Sequence, residues 1–267
     1  MTSSSFPGSE TKAQPETVAL FASDLHLQSG MPRTAQAFLD FIHMHARRTQ
    51  QLYLLGDIFE AWAGDDDLED AFNRHIVEAL NALHQGGVAI YWIAGNRDFL
   101  AGERFSAESG AVLLPDPTIV VISGKPLVLT HGDAYCTDDQ AYMHFRAQVR
   151  DESWQRQFLS LPLSERKAII ASLRAGSREA QRGKSYDIMD VNPGAIAELF
   201  EKSAVTTMIH GHTHRPARHE ARCGGSALVR YVLSDWDLDH GQPRGDWLAM
   251  DGNGKLHRMS VGLLHAG

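Results

Sequence analysis

Cysteine is scarce in this chain: 267 residues hold only Cys136 and Cys223, with no Cys-x-x-Cys pair. Two distant thiols build neither a disulfide framework nor a thiolate metal site, so both are read as free thiols in a reducing compartment. Long apolar runs are missing too. No stretch approaches the roughly 20 residues that cross a bilayer, and the run 18–22 is too short for a signal-peptide core. Residues 1–17, rich in Ser, Thr, Pro and Glu, read as a disordered tail on a cytoplasmic protein. A surplus of positive charge is also lacking, and a net charge of −8 argues against general nucleic-acid binding.

What is present fits a soluble enzyme. An apolar content of 43% with 22% charged residues excludes a mainly disordered or fibrous chain, and the length suits one domain carrying an insertion. Charge is unevenly placed. Residues 146–184 carry nine basic side chains against four acidic ones, a local charge of +5. Such a segment is either a solvated helical face or a surface for an anionic substrate or lipid.

Short apolar runs repeatedly end in Asp, Asn or His. Residues 18–23 lead into Asp24-Leu25-His26, residues 51–55 into Gly56-Asp57, and residues 88–94 into Gly95-Asn96-Arg97-Asp98. Residues 126–130 lead into His131-Gly132-Asp133, and residues 205–209 into His210-Gly211-His212-Thr213-His214. These read as buried strands delivering polar groups at their carboxyl ends. Helix-compatible stretches at 34–49 and 65–85 lie between the first three, which implies an α/β core. Asn192-Pro193 opens a short helix through Phe200, with Asn as cap. Residues 227–233 and 247–250 read as further strands, expected in a second sheet packed on the first.

Residues 138–186 break this rhythm. They read as a helical insertion interrupted at Leu161-Pro162 and again at Ala175-Gly176-Ser177. Tyr142, Phe145, Val149, Phe158, Ile169, Ile170 and Leu173 form an apolar stripe that either packs on the core or lines a groove for an apolar ligand.

In open α/β sheets ligands collect outside the carboxyl ends of strands, so residues at five such ends converge. Four His, two Asp and one Asn suit a divalent Mn, Fe, Zn or Co ion. In Asp24-x-His26 and His212-x-His214 the paired residues stand two apart, which in extended backbone sends both side chains to one side. Asp98 and Asp133 are expected to orient histidines from behind. His210 is read either in that role or as a buried structural residue, and His43 and His45 receive no role.

In this order the motifs resemble the calcineurin-like metallophosphoesterase superfamily. The resemblance implies a four-layer α/β/β/α sandwich with a dinuclear site. Asp24, His26, Asp57 and His214 would hold one metal; Asp57, Asn96, His131 and His212 would hold the other. Two metals together activate a water and stabilise the oxygens of a phosphate under attack.

That superfamily usually carries His where this chain has Arg97. Arginine keeps its proton, so it cannot serve as a general acid, but it binds phosphate oxygens bidentately. A leaving group needing no proton, such as a phosphate displaced from a pyrophosphate, suits this site. The segment from Arg174 to Asn192, together with Gly95-Asn96-Arg97-Asp98 and His210 to Pro216, resembles the diphosphatases of the lipid A pathway that act on UDP-2,3-diacylglucosamine.

This narrower resemblance implies Mn-dependent hydrolysis of the pyrophosphate by water attacking the uridine-side phosphorus, which yields UMP and 2,3-diacylglucosamine 1-phosphate. It implies substrate contacts from Asn96, Arg97, Asp139, Ser177, Gln181, Lys184 and His212, with Gln181 standing where the family commonly has Asn. The insertion would then form a lid and acyl-chain groove, and the protein would sit peripherally on the cytoplasmic face of the inner membrane. Two other readings stand beside it: a phosphoesterase acting on cyclic nucleotides or lipid-free nucleotide pyrophosphates, and a non-catalytic, metal-stabilised scaffold.

Overall fold

The computed structural model describes residues 16–182, 187–223 and 225–262, with the backbone alone at 177–182, 187 and 223. All but the last two residues of the expected tail lie outside the described residues.

The first half alternates strand and helix: β1 (Thr17–Ala22), α1 (Pro32–Met44), β2 (Gln51–Leu54), α2 (Ala71–Gln85), β3 (Ala89–Ile93), α3 (Glu103–Ser109) and β4 (Ala111–Leu114). Pro32 opens α1 with its fixed φ. The expected helix at 65–85 starts later, at Ala71. Asp70 caps it by accepting from the backbone of Phe72 and Asn73, and residues 65–69 form a separate 3₁₀ turn. A hairpin of β5 (Thr118–Ile122) and β6 (Lys125–Leu129) follows, and then the helices α4 (Gln140–Val149), α5 (Glu152–Leu159) and α6 (Leu163–Arg182). The chain continues through α7 (Pro193–Ser203), β7 (Thr207–His210), β8 (Ala217–Cys223), β9 (Ser226–Val232), β10 (Asp246–Asp251) and β11 (Leu256–Ser260). Asn192 caps α7 as expected, accepting from Gly194 and Ala195.

Two sheets result. The first has strand order β11-β10-β1-β2-β3-β4, and the second β5-β6-β7-β9-β8. Strands β1 to β4 pair in parallel with one another, as do β6, β7 and β9. One expectation fails here. The strand at 227–233 joins the second sheet, but β10 pairs antiparallel with β1 in the first. Its six residues are all buried, because it lies between helices on one face and the second sheet on the other.

Three apolar cores make the four layers. Phe38 and Phe41 of α1, with Ile76 and Leu80 of α2, cover the outer face of the first sheet. Phe21, Tyr53, Leu129, Ile209 and Leu248 fill the space between the sheets. Ile196, Leu199 and Phe200 of α7 cover Val128 and Met208 on the outer face of the second sheet. The expected α/β/β/α sandwich is the observed one.

Helices α4 to α6 break at Leu161-Pro162 as expected, but α6 runs unbroken through Ala175-Gly176-Ser177. A single helical glycine costs only about 1 kcal/mol, less than the rest of a 20-residue helix supplies. The apolar stripe divides. Val149 and Phe158 are buried, and Ile170 packs on the first core. Ile169 (37% exposed) and Leu173 (43%), with Leu159 (42%) and Ile188 (38%), face outward.

Phe105 of α3 is fully buried, with its ring against Trp92, Trp62 and Phe59. Phe59 and Trp62 belong to the loop after β2, which carries Asp57. Phe105→Ala is therefore expected to cost about 3–5 kcal/mol in urea unfolding; a loss under about 1 kcal/mol would contradict this packing.

Candidate metal centre

Each site residue follows the carboxyl end of a parallel strand: Asp24 and His26 after β1, Asp57 after β2, Asn96 after β3, His131 after β6, and His212 and His214 after β7. Backbone hydrogen bonds continue past the ends of β1 and β2. Asp24 N donates to Gly56 O (3.0 Å), His26 N to Asp57 O (3.0 Å) and Leu27 N to Ile58 O (2.8 Å). In the second sheet the pairing of β6 and β7 continues in the same way, where Gly211 N donates to His131 O (2.9 Å).

The backbone then departs from extended geometry. Asp24 (φ 54°), His26 (48°), Asp57 (53°), His212 (66°) and His214 (54°) all lie in the left-handed region. The Asp-x-His and His-x-His pairs thus do not converge by strand alternation, as the spacing predicts. Each residue is turned inward by its own left-handed kink. Such conformations are costly for residues with a Cβ and persist where the surroundings impose them.

All seven predicted residues come together. Ligand atoms of Asp24, His26 and His214 lie within 4.8 Å of one another, as do those of Asp24, Asp57 and His131. Asn96 Oδ1 is 3.0 Å from His131 Nε2 and 2.8 Å from His212 Nδ1. Asp57 sits between the groups, 4.0 Å from His26 Nε2 and 3.6 Å from His131 Nε2.

The donor set fits divalent metals. His131 Nδ1–H donates to the Leu55 carbonyl (2.9 Å), and His26 Nδ1–H to Glu60 Oε2 (2.9 Å). Each bond keeps a proton on Nδ1 and turns Nε2, the atom a metal would take, into the cluster. There His26 Nε2 and His214 Nε2 face each other at 3.2 Å, an arrangement of two nitrogen donors suited to a shared cation.

The electrostatics point the same way. Burial opposes ionisation of Asp24, but its hydrogen bond to His214 and the charges of His214, His131 and His26 hold the carboxyl well below the usual range. Burial opposes a charge on His131 too, yet Asp57, Asp24 and Asp133 raise it to about 9. His212 is lowered to about 4 by burial and by His131.

Asp24 also joins the sheets. Its carboxylate accepts from Ser23 Oγ (2.6 Å) and from His212 N (2.9 Å), and its carbonyl accepts from Trp236 N (2.9 Å). Close approach explains Gly95. A Cβ there would collide with the Asp57 carboxylate and backbone nitrogen.

Two residues expected to orient histidines do other work. Asp98 is fully buried and accepts from Gly95 N (2.8 Å) and Ile58 N (2.8 Å), binding the loop after β3 to the loop after β2. Burial and Asp57 raise its carboxyl to about 6. Asp133 accepts from Tyr142 Oη and Arg146 Nε, both at 2.8 Å, and so binds α4 rather than an imidazole. His210 is a buried structural histidine, held between the Gly211 carbonyl and Arg230 (each 2.9 Å).

Of the expected substrate contacts outside the cluster, Arg97 places Nε 3.9 Å from Asp57 Oδ2. That Nε is buried and makes no hydrogen bond among the described residues. Asp139 caps α4 by accepting from Tyr142 N (3.1 Å). The side chains of Ser177 and Gln181, and Lys184 as a whole, lie outside the described residues. Sequence reasoning missed Glu60, whose second oxygen pairs with Arg174 of α6, and Arg150, which donates to Gly95 O (2.9 Å). It placed Tyr142 only in the apolar stripe, yet the ring stands 5.7 Å from that of His212.

The sequence model of the calcineurin-like phosphoesterases matches residues 18–216. A protein of Chromohalobacter salexigens named UDP-2,3-diacylglucosamine hydrolase is 48% identical over 217 residues, covering 81% of this chain and 88% of its own. Proteins of the same name from Ralstonia nicotianae (47% identical, 86% of this chain and 88% of theirs) and Pseudomonas aeruginosa (45%, 90% and 97%) are also similar.

Gly95→Ala tests the close approach to Asp57. Overpacking there is expected to cost about 1–3 kcal/mol and to weaken divalent-metal uptake measured by titration calorimetry. Unaltered uptake would contradict the geometry.

Proposed function

The chain belongs to the calcineurin-like phosphoesterase family, and we propose that it hydrolyses the pyrophosphate bond of UDP-2,3-diacylglucosamine to UMP and 2,3-diacylglucosamine 1-phosphate. The relatives that share its sequence over more than four fifths of the chain carry that substrate in their name. The observation that carries the reading within the site is Arg97, a guanidinium with an unengaged buried Nε beside Asp57.

In this reading Asp24, His26, Asp57 and His214 hold one divalent metal and Asp57, Asn96, His131 and His212 the other, with manganese as the resident ion. When bound, the pair lowers the pKa of water and neutralises charge building on the phosphate oxygens. The protein's residues supply position and charge. Arg97 carries a positive charge at every working pH and has fixed, planar donors, so it grips the oxygens flanking the reacting phosphorus. It offers no proton, and the reaction asks for none: the departing sugar phosphate leaves as a stable anion. Attack at the uridine-side phosphorus makes UMP one product. Asn96, fixed between His131 and His212, is placed to orient the phosphate as well.

The lipid part belongs to the insertion at 138–186, acting as lid and acyl-chain groove. Leu159, Ile169 and Leu173, with Ile188 just beyond the insertion, offer exposed apolar surface for acyl chains. Asp139, Ser177, Gln181 and Lys184 complete the substrate contacts. No helix among the described residues is long and apolar enough to cross a membrane. The insertion instead rests the protein on the cytoplasmic face of the inner membrane, where its substrate resides.

The test compares UMP release from acylated and deacylated UDP-glucosamine in the presence of manganese. The acylated sugar is expected to be strongly preferred; equal rates would overturn the lipid assignment. Arg97→Ala should lower kcat by about 100-fold or more, the loss typical of one charge-stabilising donor, and unchanged turnover would remove Arg97 from the reaction.

A further inference from the structure

Glu60 lies outside the seven-residue cluster and touches it through one of its ligands. Its backbone is fixed where the pairing of β1 and β2 runs past the strand ends: Leu27 bridges Phe59, and Glu60 N donates to Leu27 O (3.1 Å). This ladder carries His26 and Glu60 side by side. The carboxylate then divides its two oxygens. Oε2 accepts from His26 Nδ1 at 2.9 Å, and Oε1 pairs with the guanidinium of Arg174 on α6. All three side chains are largely shielded, which strengthens the interactions relative to those of an open surface pair.

We propose that Glu60 is a positioning residue that couples the metal centre to the insertion: one oxygen fixes the His26 imidazole, and the other docks α6 against the core through Arg174. The proposal rests on the metal-site reading above. A carboxylate on Nδ1 holds the proton there and keeps Nε2 a lone pair aimed at Asp57 and His214. The same carboxylate gives α6 a charged anchor beside the cluster. A second anchor near the start of that helix is independent: the buried Arg166 donates to the Ala63 carbonyl and pairs with Asp66, and Lys167 pairs with Asp67 at 2.6 Å. Loss of Glu60 therefore weakens the hold on α6 around Arg174 and leaves its start attached.

Glu60→Ala and Glu60→Gln separate the two functions. Glutamine still offers an oxygen to His26 but presents a neutral amide to Arg174. Each variant is examined by manganese titration calorimetry, by hydrogen exchange of α6, and by kinetics on the acylated UDP-sugar. Glu60→Ala is expected to weaken one of two manganese sites by roughly 10–100-fold, the range for removing a carboxylate behind a ligating His, and to speed exchange around Arg174. Glu60→Gln is expected to keep manganese binding within about threefold of wild type and still speed that exchange, with KM rising more than kcat falls.

Faster exchange in both variants, with weakened metal only in Glu60→Ala, supports the coupling. Wild-type protein that takes up two manganese ions, beside a Glu60→Ala variant that binds both as tightly and exchanges α6 no faster, overturns the coupling alone. Wild-type protein that takes up no divalent metal overturns the coupling together with the phosphoesterase reading.

Discussion

The structure depends on holding two buried carboxylates and four imidazoles within a few ångströms of one another. Asp24 and Asp57 are almost wholly buried, and isolated ionised carboxylates are costly to bury unless they are paired or bind cations. The fold answers with short-range partners. His214, the Ser23 hydroxyl and the His212 amide surround Asp24, and the Arg97 amide donates to Asp57 at 2.8 Å. Asp24 and His212 come from different sheets, so the bond that satisfies the carboxylate also fixes how the sheets meet. Site and fold share one set of interactions, which is why the cluster forms from loops and still has a definite geometry.

Five cluster residues sit at φ values that favour glycine. None is glycine, because each position needs a ligating side chain. The strain is borne by the surrounding ladder: bonds from Asp24, His26 and Leu27 to the loop after β2, and Asp98 gripping the loop after β3. Glycine appears instead beside the ligands, at Gly56 and Gly95, where backbones approach too closely for any side chain. Ligand and glycine thus have opposite requirements and occupy adjacent positions.

The cluster was legible because apolar runs ending in Asp, Asn or His are a one-dimensional pattern, and the carboxyl-end rule converts it into a three-dimensional one. The layers followed from the alternation of strand and helix. Other features had no such pattern. The placement of β10 in the first sheet is a long-range antiparallel pairing with β1, which no local signal specifies. The left-handed turns at Asp24 and His214 are imposed by tertiary contacts on residues that do not prefer them. Glu60 stands in Gly56-Asp57-Ile58-Phe59-Glu60, where nothing in spacing or composition distinguishes it from a surface acid. Asp98 and Asp133 were correctly placed near the site, but their partners were misassigned, because sequence proximity to a ligand does not tell which way a carboxylate faces.

The basic surplus of residues 146–184 reads differently once its partners are known. Arg146 meets Asp133, Arg150 the Gly95 carbonyl, Arg166 the Ala63 carbonyl and Asp66, Lys167 Asp67, and Arg174 Glu60. These cations are engaged with the core, so their first role is to dock the insertion, and an anion arriving at the site must compete for them. Three of the five docking contacts end on groups adjoining the metal centre: Gly95 precedes Asn96, Asp133 follows His131, and Glu60 holds His26. An anionic substrate that draws Arg174 or Arg150 toward itself therefore acts on the same groups that hold the metal ligands in place. In the proposed reading, these five cations form a linkage through which substrate in the insertion and metals in the core influence each other.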